Sequence, residues 1–204
     1  MAEKTNLTVT NFISNENVIL CPKIKQPEYA FIGRSNVGKS SLINMILAHK
    51  IAHISSTPGK TQLINHILIN DKWSLVDLPG YGYAKLSKKK KAEILKMTKN
   101  YFQKRGIQLV SVFMLIDIRI PPQKIDLEWM EWLTNNNIYF IRIFTKSDGL
   151  RKSNINKAIS QYNKIMSTKW EKIPETLITS SKNKEGRNNV LNKIIELNKL
   201  FQNI

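Results

Sequence analysis

Eight residues, Gly33 to Ser40 (GRSNVGKS), have the spacing of a loop that wraps phosphate groups. They fit the pattern G-x-x-x-x-G-K-[ST] in full. Gly33 and Gly38 at its ends let the backbone through Arg34, Ser35, Asn36 and Val37 curl, so that successive N–H groups point inward at phosphate oxygens. Lys39 can reach the β- and γ-phosphates, and the Ser40 hydroxyl can ligate Mg²⁺, a hard cation that prefers oxygen. The pattern could arise by chance in any glycine-containing loop. Here it stands between a predicted strand, EYAFIG, and a predicted helix, KSSLINMILA, whose N-terminal dipole adds to the attraction. That context is what the chemistry requires, and it points to a nucleoside triphosphate.

The base is addressed by FTKSD, Phe144 to Asp148. The Asp148 carboxylate can accept two parallel hydrogen bonds from N1–H and the 2-amino group of guanine. Adenine has no such donor pair and would leave a buried charge unpaired. The aliphatic stem of Lys146 can lie over the purine while its ammonium ties the loops together. Thr145 and Ser147 complete the segment. Alone, T-K-x-D is a weak signal that more often marks just a polar turn. It gains weight from the phosphate loop upstream and from TSSK, Thr179 to Lys182, at the end of the last predicted strand. There, backbone N–H groups around Ser181 and Lys182 could donate to the guanine oxygen, with Thr179 and Ser180 leading into them.

Two further segments face the terminal phosphate. In DLPG, Asp77 can hold the Mg²⁺ shell through a water, and Leu78 and Pro79 lead to Gly80. Having no side chain, Gly80 lets its backbone N–H approach a γ-phosphate closely. In the polar loop SSTPGKTQLIN the stretch Gly59, Lys60, Thr61, Gln62 and Leu63 offers Thr61 as a second hydroxyl for Mg²⁺, in competition with Ser55, Ser56 and Thr57. The candidate metal ligands are therefore Ser40, Thr61 and Asp77.

These residues need a scaffold that brings strand ends together. Apolar runs alternate with helix-like segments along the chain. Strands are predicted at Glu28–Gly33, Ile64–Asn70, Trp73–Leu78, Leu109–Asp117, Ile138–Phe144 and Glu175–Ser180. Helices are predicted at Lys39–Ala48, Lys88–Arg105, around Asp126–Thr134, at Lys152–Met166, and in a final segment with Val190, Ile194, Leu197 and Phe201 on one face. Ile64–Asn70 alternates apolar and polar residues, which marks a half-exposed edge strand, and Asn70-Asp71 is turn chemistry for a hairpin with Trp73–Leu78. The expected fold is α/β: a mostly parallel six-stranded sheet with one antiparallel edge strand and helices on both faces. Ligands bind such sheets beyond the carboxyl ends of the strands. Residues 1–25 read as an N-terminal extension and residues 26–204 as one domain, in keeping with a length of 204 residues.

Composition narrows the setting. No apolar run reaches the ~18 residues of a membrane span, and the N-terminus lacks the pattern of a signal peptide. A single cysteine, Cys21, cannot form an internal disulfide, so a cytoplasmic protein is expected. The net charge is +17, from 32 basic and 15 acidic residues. Genome bias toward lysine would spread that charge evenly. Instead, Lys88 to Arg105 carries eight basic residues against one acid, Glu93, while Asp126, Glu128 and Glu131 lie together elsewhere. A basic patch for a polyanion follows.

Taken together, GRSNVGKSSLIN, TPGKTQLIN, DLPGYGYAK, TKSD and SSK resemble the EngB/YihA/YsxC family of bacterial ribosome-biogenesis GTPases, among the translation-factor-like GTPases that include Era. The resemblance runs from about Glu28 to the final helix. It implies a Ras-like G domain, binding of GTP and GDP with Mg²⁺, and a role in assembling the large ribosomal subunit. It also implies a link to cell division and septation, known in some members. On the matching positions, Gly33–Ser40 would hold phosphates, Ser40 and Thr61 Mg²⁺, Asp77–Gly80 the γ-phosphate, and Thr145–Asp148 with Thr179–Ser181 guanine. Ser181 stands where many GTPases have alanine, which a backbone donor tolerates. Lys60 keeps the charge of an arginine.

The candidate catalytic set is Lys39, Asn36 and Thr61. Ras-like enzymes commonly place a water-orienting glutamine after the D-x-x-G glycine. Here Tyr81 holds that position, so slow intrinsic hydrolysis is expected. Asn36 either helps hold a K⁺ ion between the phosphates or simply stabilises the loop. The basic face around Lys85–Arg105 is the expected contact with the large subunit or its rRNA, with Tyr81 or Tyr83 stacking on unpaired bases. A monomeric switch in ribosome assembly and a GTP-regulated scaffold at the division site are the two functional readings. Guanine selection argues against a plain ATPase or kinase.

Overall fold

The computed structural model describes residues 7–23, 25–49, 63–83 and 86–202. Seven strands form one sheet: β1 (Val9–Asn15), β2 (Glu28–Gly33), β3 (Ile64–Ile69), β4 (Trp73–Asp77), β5 (Leu109–Asp117), β6 (Phe140–Thr145) and β7 (Thr176–Ile178). Their spatial order is β1-β3-β4-β2-β5-β6-β7. The helices are α1 (Lys39–Leu47), α2 (Lys88–Lys104), α3 (Lys124–Asn135), α4 (Lys152–Met166) and α5 (Arg187–Phe201).

All six residues of β2 are buried, and β5 is buried from Ser111 onward. Strands buried on both faces read as continuous apolar runs, which is how EYAFIG and LVSVFMLID appear in the chain. One apolar cluster joins β2, β4 and β5 to α2, α3 and α4, and includes Tyr101, Phe102, Trp129, Met130 and Tyr162. A second, on the opposite face, packs Phe31, Phe113 and Ile143 against α1 and α5. Parallel pairs β4–β2–β5–β6–β7 set their carboxyl ends along one edge, where Gly33, Asp77, Asp117 and Thr145 each close a strand.

The strand count differs from the expected six. Residues 1–25, read as an extension, contribute β1, which pairs antiparallel with β3 from Val9↔Ile69 to Asn15↔Ile64. Thus β3 is not the sheet's edge: it lies between β1 and β4 and runs antiparallel to both. His66, a polar residue in an alternating strand, is buried because its face of the sheet is covered by α2: its ring lies 6.0 Å from that of Tyr101, and Nε2 is 3.4 Å from Glu28 Oε1. The β3–β4 hairpin turns at Asn70 and Asp71, with φ of 51° and 55°. Two successive left-handed residues match the twist of the flanking strands, and Asn and Asp tolerate that region.

Candidate nucleotide-binding site

Gly33 ends β2, and the chain from Arg34 to Gly38 turns before Lys39 begins α1. Gly38, at the start of α1, has φ of 104°, a conformation that a Cβ would oppose. Asn36 is also left-handed, with φ of 63°, and is exposed. Lys39 is buried, and its Nζ donates to Asp77 Oδ1 across the ends of β2 and β4. Ser40 is half-buried in the first turn of α1. The Ser40 hydroxyl in the first turn of α1 and the Asp77 carboxylate at the end of β4 are hard oxygen donors, the kind that suits Mg²⁺. Gly59, Lys60, Thr61 and Gln62 lie outside the described residues, and Leu63 is exposed.

The base-side segments interlock with this loop. Thr145 Oγ1 donates to the Val37 carbonyl (2.6 Å), and Lys146 Nζ donates to the Asn36 carbonyl (2.6 Å). The same ammonium lies 2.9 Å from Asp117 Oδ2. Asp117 was not anticipated, although its position closing the apolar run of β5 was a signal. Burial works to raise its pKa, but hydrogen bonds from Arg119 and Lys146 overcome this and hold it at about 2. Asp117 is therefore a fixed anion that aims Lys146 along the phosphate loop.

Asp148 is exposed, and its Oδ1 accepts from Ser180 Oγ (2.6 Å). Ser180 Oγ also accepts from Asn183 N (3.1 Å), and Ser147 N donates to the Thr179 carbonyl (3.2 Å). TKSD and TSSK are thus one hydrogen-bonded unit, with Ser181 half-buried and Lys182 exposed beside it. The Ser147 hydroxyl is buried with no partner among the described residues.

The DLPG segment is stitched to the phosphate loop by backbone. Ser35 N donates to the Tyr81 carbonyl (2.8 Å), and Tyr81 N donates to the Gly33 carbonyl (3.1 Å). The Tyr81 hydroxyl then donates to Asp126 Oδ1 (2.8 Å), while Asp126 Oδ2 accepts from Arg34 Nε (3.2 Å) and the Tyr162 hydroxyl (3.3 Å). Burial raises the Asp126 pKa above its ordinary value, with Tyr81 and Arg34 opposing the shift.

Asp126, which lies with Glu128 and Glu131 in the sequence, is a wholly buried acceptor joining the phosphate loop to α3 and α4. Two expectations change here. Tyr81 and Tyr83 are both buried, so neither ring is placed to stack on an unpaired base. Arg105 leaves the basic face: it is buried, and its guanidinium grips Glu28 through Nε (2.8 Å) and Nη2. Lys88, Lys89, Lys91, Lys96 and Lys104 remain exposed along α2, and Lys85 lies outside the described residues.

A protein-family profile described as a 50S ribosome-binding GTPase matches residues 28–146, the stretch from β2 through Lys146. A protein described as a probable GTP-binding protein EngB, from Bacteroides thetaiotaomicron, is 52% identical over 92% of this chain and 93% of its own length. The corresponding protein of Flavobacterium johnsoniae is 50% identical over 96% of this chain and 94% of its own. The chain belongs to the EngB family of GTP-binding proteins. As a member of the EngB family it is a P-loop GTPase. A crystal structure of a probable GTP-binding protein EngB superposes with a TM-score of 0.70, covering 84% of this chain and 98% of that one at 22% identity. A structure of Era in complex with MgGDPNP and nucleotides of 16S ribosomal RNA superposes at 0.66 with 19% identity, covering 85% of this chain and 57% of that one. These two likenesses support the EngB fold alone. No helix among the described residues is long and apolar enough to cross a membrane.

Proposed function

We propose that this GTPase is a slow-cycling cytoplasmic switch in assembly of the large ribosomal subunit, acting as a monomer through the N-terminal half of α2. Gly33–Ser40 hold the phosphates, Ser40, Thr61 and Asp77 the Mg²⁺, and Gly80 the γ-phosphate. Asp148 takes the guanine edge, braced by Ser180. Hydrolysis is slow because the side chain after Gly80 is committed elsewhere: the Tyr81 hydroxyl is spent on Asp126 and cannot orient an attacking water. Lys39 and Thr61 carry the charge of the transferring phosphoryl group, and Asn36, which is exposed on the loop, would join a K⁺ ion there.

The observation that carries the ribosomal reading is the charge at the start of α2. Ser87 caps the helix by accepting from Lys90 N (3.2 Å), and the first turn is all lysine, with no acid. A helix N-terminus favours anions, so cations there oppose the dipole by about 0.3–1 kcal/mol. Lys88 and Lys89 are exposed and bury no apolar surface in the fold. Their placement suits a phosphate backbone, whose attraction grows with each lysine and falls with salt. The description of the matching family as 50S ribosome-binding points the same way. The test is sedimentation with large-subunit particles in a non-hydrolysable GTP analogue or GDP, using wild type and a Lys88–Lys91→Gln variant. Co-migration only with the analogue, lost in the variant while GTP affinity holds, is expected. Unchanged association of the variant would defeat the proposal.

A further inference from the structure

At the end of β5 one carboxylate serves two cations. Arg119 takes Asp117 in a two-pronged grip, with Nε donating to Oδ1 (2.9 Å) and Nη2 to Oδ2 (2.8 Å). The Arg119 backbone N–H adds a third bond, to Oδ1 (3.1 Å). Two of these bonds converge on Oδ1, and Lys146 Nζ meets the other oxygen, Oδ2, at 2.9 Å. The Asp117 side chain is 4% exposed and that of Arg119 47%, so the guanidinium closes over an enclosed carboxylate from the solvent side. A second residue makes room for that approach. A Cβ at Gly149 would stand 2.6 Å from Arg119 Cδ and 3.3 Å from Cγ, so the arginine stem occupies the space that a side chain at 149 would need. Gly149 follows Asp148 in the segment assigned to the base, and its N–H donates to the Lys146 carbonyl (3.0 Å).

We propose that Arg119, laid across Gly149, is a positioning residue that sets how long the nucleotide is held, by fixing the carboxylate on which Lys146 rests. A lysine ammonium is a compact charge with rotatable donors on a flexible stem, so its acceptors decide where it sits. A guanidinium fork, by contrast, fixes the plane of a carboxylate. With Oδ1 taken by Arg119, the ammonium has Asp117 Oδ2 on one side and the Asn36 carbonyl (2.6 Å) on the other. Those two acceptors stretch Lys146 between the end of β5 and the phosphate loop. Without Arg119 the carboxylate can turn, and the ammonium can follow either oxygen away from Asn36. Lys146 belongs to the base-side segment rather than to the terminal phosphate, so GDP and GTP are affected alike.

The test is the rate at which fluorescent GDP, and a fluorescent non-hydrolysable GTP analogue, leave the protein in Mg²⁺ when chased with excess unlabelled GDP. A first-order release rate does not depend on the fraction of the preparation that is folded, so a merely structural role would not move it. Arg119→Ala is expected to release both nucleotides about three- to tenfold faster, the range of one hydrogen bond. Gly149→Ala keeps the guanidinium but pushes its flexible stem aside, and is expected to speed release in the same direction. The double variant should be no faster than the faster single one, because both changes break the same grip. Because this rests on the assignment of Lys146 to the nucleotide, Lys146→Ala is measured alongside. Wild-type release from Lys146→Ala would overturn that assignment and this role together. Faster release from Lys146→Ala with wild-type release from Arg119→Ala, or strictly additive effects of Arg119→Ala and Gly149→Ala, would overturn the role of Arg119 alone.

Discussion

Asp126→Ala is the sharpest test of how the phosphate loop is held. The carboxylate is wholly buried and accepts from Tyr81, Arg34 and Tyr162 at 2.8, 3.2 and 3.3 Å. Its raised pKa shows burial outweighing these partners, so the ionised group is not itself a large gain. The cost of truncation comes from what is stranded. Two tyrosine hydroxyls, both buried, lose their acceptor, at about 1–3 kcal/mol each. The Arg34 side chain retains 20% exposure and can recover part of its hydration, so it adds less than a fully buried partner would. The sum is about 3 kcal/mol, within the ~2–5 kcal/mol range for such networks. For a chain of this size that lowers the melting temperature by about 6–12 °C. Urea denaturation at neutral pH measures it. Asp126→Asn keeps one acceptor oxygen and is expected to lose about half as much. In a double-mutant cycle with Tyr81→Phe, the two losses should overlap by about 1 kcal/mol or more. A loss under about 1 kcal/mol for Asp126→Ala, or strict additivity with Tyr81→Phe, would refute the network.

Other expectations follow from neighbouring geometry. Ser180→Ala removes the 2.6 Å brace on Asp148 and should weaken GDP binding about three- to tenfold without lowering stability comparably, read by nucleotide titration and melting. Burial pushes the Glu28 pKa up, but His66, with Nε2 3.4 Å from Oε1, and the Arg105 guanidinium outweigh this and hold it below its ordinary value of 4.5. Its contribution to stability is present above pH 4.5 and is lost as pH falls through the lower folded value. Glu28→Gln should therefore be less stable at neutral pH and show a flatter stability profile below pH 4.5 by denaturant titration. Turnover measured in K⁺ and in Na⁺ tests Asn36: faster hydrolysis in K⁺, lost in Asn36→Ala, supports the ion, and equal rates dismiss it.

What was legible in the chain was whatever depends on local spacing. The strand EYAFIG, the strand LVSVFMLID and the helix KSNINKAISQYNKIM have the boundaries their patterns predict. The phosphate loop was legible because one turn of backbone carries its chemistry. What escaped notice depends on pairing across the sheet. Period-two alternation in Ile64–Ile69 says which face is buried but not what lies beside the strand, so the seating of β1 on it left no trace. Asp126 and Arg105 are charged residues on helices, where composition reads them as solvent-facing. Only the placement of Arg34, Tyr81 and Glu28 opposite them makes burial tolerable. The same limit applies to the tyrosines: GYGY beside lysines reads as an aromatic, basic surface, yet both rings close the core under the phosphate loop.

The two ends of α2 are held in different ways, and this bears on what a change at Gly80 can do. At the C-terminal end, Tyr101 and Arg105 both donate to Glu28 Oε2, at 2.7 and 2.8 Å, and Arg105 Nη2 also donates to the Pro22 carbonyl at 2.8 Å. Displacing that end would strand a buried carboxylate, a cost of about 3–5 kcal/mol. At the N-terminal end the first buried residue is Ile94, and Lys88, Lys89 and Lys91 before it are exposed. Moving that turn removes almost no apolar surface from contact. On its α3 side lies a groove of about 440 Å³, lined by Gly80, Tyr83, Lys91, Ile94, Trp129 and Trp132, so movement in that direction meets open space. A 17-residue helix spans about 25 Å, and with one end fixed a push at the other becomes a swing. Gly80 and Tyr83 precede that end of the helix by only a few residues in the sequence. The end of α2 that carries the basic turn is thus the end that the packing holds least.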